Sequence, residues 1–157
     1  MSKLSRRKPD PIPTIHPVPE YAADAGLTAV YERTKRGFSV PWMGVVAMAF
    51  AHYREFYKCL WQAMEPVVMT QAFADACQKL RFAAEKEAAS LSPVAICSKL
   101  TKLGYDDREI EEIKNCNEVF SSGNMPYVLM ATLARLLLEG HSWDGKGSAQ
   151  THDAPSI

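Results

Sequence analysis

The chain has 157 residues, 47% of them hydrophobic, which fits one domain with a substantial core. Its 18 basic and 18 acidic residues cancel, so net charge gives no argument for binding nucleic acid or an anionic membrane. No apolar run approaches the roughly 20 residues that span a bilayer, and the N-terminus lacks the apolar segment of a signal peptide. We therefore expect a cytoplasmic protein.

The two ends of the chain differ in composition from the middle. Residues 1–21 are rich in proline and basic side chains, and residues 141–157 are mostly polar. We predict that both are disordered tails around a helical domain at 22–140. The basic cluster at 3–8 is compatible with a nucleic-acid arm, but a solvated tail is the simpler interpretation, and we expect the latter.

Helical periodicity begins just after the first tail. Apolar steps of three and four residues predict a first helix around Leu27–Thr34. Pro41 should end that segment and lie in the first turn of a second helix, which carries apolar side chains from Trp42 to Leu60. A third helix is predicted from Pro66 to about Ala84.

The second half of the chain predicts three more helices. A fourth runs from about Pro93 to Leu103 and ends at Gly104. Asp106 and Glu109 form a capping-box pattern that opens a fifth. The polar stretch FSSGNMPY then breaks the pattern, and a sixth helix is predicted from Asn124 to Gly140. Since no alternating strand pattern occurs, we predict an all-α single domain of about six helices.

Four cysteines lie within these helical patterns, and the chain has no C-x-x-C pair. We expect them to be reduced thiols, buried like small hydrophobic side chains. Metal-ligand clusters, glycine-rich phosphate loops and nucleophile-elbow motifs are missing from the sequence. We therefore expect neither a metal nor another cofactor. The cysteines are Cys59, Cys77, Cys97 and Cys116.

Several residues at the helix boundaries are candidates for function. Asn124 fits an N-cap, but a cap does not account for the neighbouring aromatic residue. Trp42 and Tyr127 each follow a proline-containing break and could belong either to the core or to a pocket. Asn117 shares a predicted apolar face with Phe120, so its amide is either a satisfied buried group or a pocket lining.

Three ionisable residues are weaker candidates. His52 could be an acid–base group, although a hydrogen-bonded histidine at the edge of the core is the simpler interpretation. Glu112 and Glu118 lie in the predicted fifth helix, where a solvated face is the default for both. Composition and spacing alone indicate only a helical domain with a few unexpected polar groups.

Four segments carry a resemblance to a known family. YERTKRGFSVPWMGVV, AMAFAHYREFYKCLW, KLGYDDREIEEI and VFSSGNMPYVLMATLARLL together resemble the group I 2-haloacid dehalogenases over residues 27–139. The resemblance implies an all-helical fold that displaces halide from both enantiomers of 2-haloalkanoic acids. Its VPW and G-N-x-x-Y motifs imply that Trp42, Asn124 and Tyr127 line the site. The family has a phenylalanine where Val45 stands, which implies a reshaped pocket.

The resemblance also implies that half of the site is missing. Family members fuse two copies of this helical unit, and the aspartate thought to activate water comes from the second copy. This chain resembles the first copy, and its VPWMGVV segment carries no carboxylate. We therefore expect a homodimer, or a heterodimer with a related chain, that has its site at the interface.

Three functions remain open at this point. The first is a dehalogenase-like hydrolase acting on an anionic small molecule, with Asn124 as a hydrogen-bond donor in catalysis. Glu118 and His52 are the further acid–base candidates, and Val45 and Asn117 are further substrate-binding candidates. The second is a subunit of a heterodimer whose partner brings the aspartate, or of one that catalyses intramolecular ring closure, since an internal nucleophile needs no activated water. The third is a non-catalytic ligand-binding module. We expect no nucleic-acid or membrane partner.

Overall fold

The computed structural model describes residues 13–92 and 94–141. A short 3-10 turn at Glu20–Ala22 precedes six α-helices, and the described ranges contain no strand, so the all-α prediction is confirmed. The helices are α1 (Ala25–Phe38), α2 (Val45–Phe50), α3 (Arg54–Val68), α4 (Gln71–Ser90), α5 (Cys97–Lys102) and α6 (Asp107–Leu138).

Local capping explains where several helices begin. The Asp24 carboxylate accepts a hydrogen bond from the Leu27 amide at 2.9 Å, which satisfies a free N–H in the first turn of α1. The Thr70 hydroxyl caps α4 in the same way. The predicted capping box opens α6, because Asp106 and Glu109 each accept the other's backbone N–H.

The core lies where α1, α2, α3 and the C-terminal half of α6 meet. Aromatic side chains dominate it, with Phe38 stacked on Phe73 and packed edge-on against both Trp61 and Tyr127. Such edge-on and offset contacts add to the free energy gained from burying apolar area. The other fully buried large side chains are Leu27, Tyr31, Tyr57, Met64 and Met130.

Helices α4 and α6 run antiparallel and extend beyond this core. Phe73 near the start of α4 is its one buried residue, and Ile110 is the one buried residue in the first half of α6. Arg81 of α4 joins the two helices by hydrogen bonds to Glu118 and Ser122. The two helices therefore form an arm whose side chains are mostly exposed.

The predicted break between a fifth and a sixth helix is wrong. Residues 107–138 form one continuous helix, and Asn124 lies inside it rather than at its N-cap. Pro126 lacks the N–H that would bond to the Ser122 carbonyl, which normally weakens a helix interior. The helix continues because Gly123, Pro126, Tyr127 and Met130 bury one face against the core, so packing overrides the local signals.

Three other boundaries also differ from the sequence pattern. The predicted second helix is divided at residues 51–53 into α2 and α3, and Trp42 precedes α2 instead of lying within a helix. Pro66 lies in the last turn of α3, and α4 starts only after Thr70.

The cysteine prediction was wrong about burial. All four thiols are free, but Cys59, Cys97 and Cys116 are exposed, and Cys77 is half-buried. The sequence pattern placed each of them within a helix, which does not specify a buried face. Cys97 and Cys116 lie in α5 and in the first half of α6, where most residues are exposed, and Cys59 is on an exposed side of α3.

The described part of the predicted N-terminal tail is attached to the core. The Tyr31 hydroxyl donates to the Val18 carbonyl at 2.6 Å, and the Val18 amide donates to the Met48 carbonyl at 3.0 Å. The Glu20 carboxylate pairs with Lys35 at 2.6 Å. Residues 1–12 and 142–157 lie outside the described ranges, and the domain boundaries at 21/22 and 140/141 remain predictions.

Candidate functional site

The five residues Val40–Gly44 form a corner between α1 and α2 that packs against the middle of α6. The indole of Trp42 lies over Gly123, and its ring centroid is 5.2 Å from that of Phe120. Trp42 is half-buried, so it packs on α6 and still keeps part of its surface accessible. The corner thus places an aromatic side chain immediately beside the residue that precedes Asn124.

Tyr127 of α6 also packs against this corner and forms a hydrogen bond with it. Its side chain is only 4% exposed, and its hydroxyl donates to the Trp42 carbonyl at 2.7 Å. The ring lies directly against Gly44. Burial raises the pKa of Tyr127, so the hydroxyl keeps its proton and remains the donor of this bond.

A groove of about 600 Å³ lies beside Trp42 between the corner, α4 and α6. Most of its lining is apolar, and Ser39, Glu118 and Ser122 supply the polar side chains. Of the three residues implied by the family motifs, Trp42 lines this groove, whereas Asn124 and Tyr127 do not. The apolar lining consists of Phe38, Val40, Pro41, Trp42, Val68, Phe73, Ala74, Cys77, Val119 and Pro126.

Asn124 lies instead on an exposed stripe of α6. Helical spacing places five exposed residues along one side of the helix, and the stripe alternates apolar side chains with the two candidate amides. Asn117 is therefore not the buried polar group that its predicted face suggested. Phe120, which contacts Trp42, is 50% exposed and lies between the amides. The stripe is formed by Ile113, Asn117, Phe120, Asn124 and Val128.

Val45 follows the corner at the start of α2. Its side chain is 67% exposed, although the preceding residue is packed against the Tyr127 ring. An exposed valine beside the Trp42 corner is available to a ligand or to a second unit. The structure therefore keeps Val45 as a candidate surface residue next to Trp42.

The two acid–base candidates occupy different surroundings. His52 is exposed after α2, where its ring packs against those of His16 and Tyr53, and none of these three lines the groove. Glu118 does line the groove, but its carboxylate is paired with Arg81 at 2.7 Å. The hydrogen bond from Arg81 lowers the pKa of Glu118, which weakens its carboxylate as a general base.

Sequence reasoning missed the residues that hold the corner in place. The Glu20 carboxylate accepts the Met43 amide at 3.0 Å while it pairs with Lys35, whose hydrogen bond lowers the pKa of Glu20. Gly44 and Gly123 leave room for the two aromatic rings. The glycines were visible within the VPWMG and SSGN segments, but the contribution of Glu20 depends on a contact that no local pattern signals.

The described ranges offer no cluster of histidine, cysteine or acidic side chains that could hold a metal ion. Within residues 13–92 and 94–141, every helix is too short or too polar to cross a bilayer.

Comparison with known proteins identifies relatives of this arrangement. No family model matches the chain. It is 46% identical over 149 residues to an (R)-2-haloacid dehalogenase of Rhizobium sp. (strain NHG3), and 35% identical over 141 residues to one of Pseudomonas putida. These matches cover 93% and 88% of this chain, but 57% and 47% of the relatives. The chain thus spans about half the length of these relatives.

Solved structures agree with the sequence comparison. A D-2-haloacid dehalogenase in complex with L-LA superposes with a TM-score of 0.72 and 34% identity, over 78% of this chain and 43% of that one. A mutant D-2-haloacid dehalogenase with D-2-CPA gives the same TM-score and covers 42% of its own chain. In sequence and in fold, the chain is therefore similar to about half of a 2-haloacid dehalogenase.

Proposed function

We propose that this relative of one half of the 2-haloacid dehalogenases is an enzyme subunit that displaces halide from a 2-haloalkanoic acid, as the group I enzymes do. The observation that carries the proposal is the position of Asn124. It lies exposed beside the Trp42 corner, on a surface that the chain itself leaves open. The similarity to (R)-2-haloacid dehalogenases supports this reaction class over other substitutions at carbon.

The site residues have roles that follow from the chemistry of displacement. A halide that leaves as an anion needs hydrogen-bond donors, and the Asn124 amide has two N–H groups available for that role. Asn117 lies two turns away on the same stripe and provides a second amide for the carboxylate of the substrate. Trp42 and Val45 contribute the apolar surface against which the carbon chain of the substrate packs.

The attacking water needs a base that the corner does not supply. Residues 40–45 and 123–128 contain no carboxylate. Glu118 in the groove is paired with Arg81, and the Glu20 carboxylate beside the corner is occupied by Lys35 and the Met43 amide. We therefore propose that a second helical unit of the same kind brings the base. That unit would cover the stripe from Ile113 to Val128, whose apolar side chains are partly exposed.

The contribution of Phe120 to the free energy of assembly can be estimated from its exposed surface. A phenylalanine that is 50% exposed has on the order of 100 Å² of apolar surface to bury, which corresponds to about 2.5 kcal/mol. Phe120→Asp should therefore weaken the assembly at least tenfold. Leu91→Asp is the matched control, because Leu91 is also exposed but lies about 20 Å along α4 from the groove residue Cys77.

The experiment combines light scattering with chloride release from the two enantiomers of 2-chloropropionate. Three forms of the full chain are compared: the parent, the Phe120→Asp variant and the Leu91→Asp variant. Assembly and chloride release that are lost together in Phe120→Asp alone would support the proposal. A monomer that releases chloride would overturn the proposal, because a single unit would then supply its own base.

An assembly without chloride release points to one of the two alternatives, which mixing experiments separate. Turnover restored by a related chain indicates a heterodimer. Binding of 2-chloropropionate without any turnover, measured by calorimetry, indicates a ligand-binding module.

A further inference from the structure

We infer that Gly44, Gly123 and Tyr127 are positioning residues that hold the Trp42 indole in one orientation. The indole is held at the exposed surface beside Asn124, which we call the open face. The role in catalysis rests on the proposed function, whereas the positioning itself does not. Two observations point to it independently: the absence of room for any side chain at either glycine, and the hydrogen bond that joins the Tyr127 hydroxyl to the Trp42 carbonyl.

Gly123 is the first half of this arrangement. A Cβ at this position would lie 2.6 Å from Cζ2 and 2.7 Å from Cη2 of Trp42, well inside the distance at which two carbon atoms attract. It would also lie 3.2 Å from Cγ1 of Val40. A glycine in the interior of a helix destabilises that helix relative to alanine. Its presence in α6 is therefore explained by the space that the indole occupies.

At Gly44 the roles are exchanged: the corner supplies the glycine and α6 supplies the aromatic ring. Its Cβ would lie 2.7 Å from Cγ of Tyr127 and 2.8 Å from both Cδ atoms, so the corner rests on the face of that ring. The backbone of Gly44 has φ −69° and ψ 146°, a conformation that any residue adopts. Conformational freedom is therefore not the reason for a glycine here, and room for the ring is.

Tyr127 cannot move aside to relieve such a contact. Its hydroxyl is bonded to the Trp42 carbonyl, and its ring packs edge-on against Phe38 at 5.0 Å. Each segment thus presents a glycine to the aromatic ring of the other, and the hydrogen bond closes the contact. Glu20 adds a further restraint by accepting the Met43 amide.

This geometry gives Tyr127 a different role from the one implied by the family motif. The ring is almost fully buried, and its O–H already has an acceptor within the protein. A substrate at the open face would therefore meet Trp42, while Tyr127 would act through it. A displacement of about 1 Å in a positioning group can cost on the order of 100-fold in rate. The contacts that fix Trp42 are therefore expected to affect turnover.

Fluorine NMR of the full chain labelled with fluorotryptophan tests the positioning directly. The chain has three tryptophans, and Trp42→Phe identifies the resonance that belongs to Trp42. We expect Gly123→Ala, Gly44→Ala and Tyr127→Phe each to shift, split or broaden that resonance. The resonance of Trp61, whose ring is buried against Phe38 and does not contact Trp42, should remain a single sharp line and report that the fold is intact.

Gly26→Ala is the matched control, because a Cβ there meets nothing closer than the Asp24 Oδ1 atom at 3.6 Å. An unchanged Trp42 resonance in all three variants would overturn the inference. If an alanine variant fails to fold, Tyr127→Phe, which removes only the hydroxyl, decides the question alone.

Chloride release from 2-chloropropionate then tests the link to catalysis. We expect the Gly123→Ala and Tyr127→Phe variants to lose at least tenfold in kcat/KM, and Gly26→Ala to keep the parent value. If the parent releases no chloride with either enantiomer, the proposed function fails, but the NMR result still stands. A changed Trp42 resonance with an unchanged kcat/KM would show that the orientation of Trp42 does not matter for the reaction.

Discussion

Replacing Asn124 with alanine should stabilise the protein slightly while it weakens the proposed activity. Asn124 is exposed within α6, whose N-cap is far upstream at Asp106. Asparagine is about 0.5 kcal/mol less favourable than alanine in a helix interior. If a helix began at Asn124, the same change would remove a cap and cost about 1 kcal/mol. A continuous α6 and a helix that begins at Asn124 therefore predict changes of opposite sign in the free energy of unfolding.

The assay is urea unfolding followed by circular dichroism, with thermal melting in parallel. A gain of about 0.5 kcal/mol corresponds to a rise of about 1–2 °C in Tm for a chain of this size. Asn115→Ala is the matched control. Asn115 is also exposed in α6, but it lies on the side opposite Asn124, since each residue turns the helix by about 100°.

Both alanine variants should gain the same stability, and only Asn124→Ala should lose chloride release or ligand affinity. Asn124→Asp should leave stability within about 0.5 kcal/mol but weaken binding of an anionic substrate, because the new charge repels a carboxylate or a leaving halide. A loss of stability near 1 kcal/mol in Asn124→Ala would refute the continuous helix. Unchanged affinity in both Asn124 variants would remove Asn124 from the site.

Three further predictions concern buried and paired polar groups. Thr34→Val should cost about 1–3 kcal/mol in urea unfolding, because the Tyr57 hydroxyl loses its partner at 2.8 Å. Adding Tyr57→Phe should recover part of that loss. Strictly additive losses in the double variant would contradict the pairing of the two hydroxyls. The lowered pKa of Glu118 means that its pairing with Arg81 stabilises the fold above the unfolded-state pKa and that this contribution disappears as pH falls through the folded-state value. In an NMR titration, Arg81→Gln should raise the pKa of Glu118, and an unchanged value would exclude the pair as its cause. Asp106→Ala should cost about 1 kcal/mol in thermal unfolding, and no change would mean that the capping box does not hold the start of α6.

The local signals that succeeded are those that act within one helical turn. The Asp106–Glu109 box correctly marked the start of α6, since both of its hydrogen bonds join residues three apart. The FSSGNMPY segment contains equally strong local signals for a helix end, and these failed. Burial of Gly123 and Tyr127 against the corner outweighs the missing N–H of Pro126.

The candidate site divides in the same way. The VPW and G-N-x-x-Y motifs drew attention to Trp42, Asn124 and Tyr127, and the structure brings Trp42 and Tyr127 into contact. It also shows that Asn124 is exposed and that Tyr127 is buried, a difference that the motif does not contain. Burial depends on what packs against α6 from elsewhere in the chain, and the motif records only the spacing along it.

The sequence by itself determined the helical class, the start of α6 and the resemblance to 2-haloacid dehalogenases, because each depends on the order of neighbouring residues. Only the tertiary structure decided that α6 is continuous and that two glycines make room for two aromatic rings. The bond that joins Tyr127 to Trp42 links residues 85 positions apart. Such contacts form only when the corner and α6 are packed together, so their consequences for helix continuity and exposure follow from the fold and not from any local pattern.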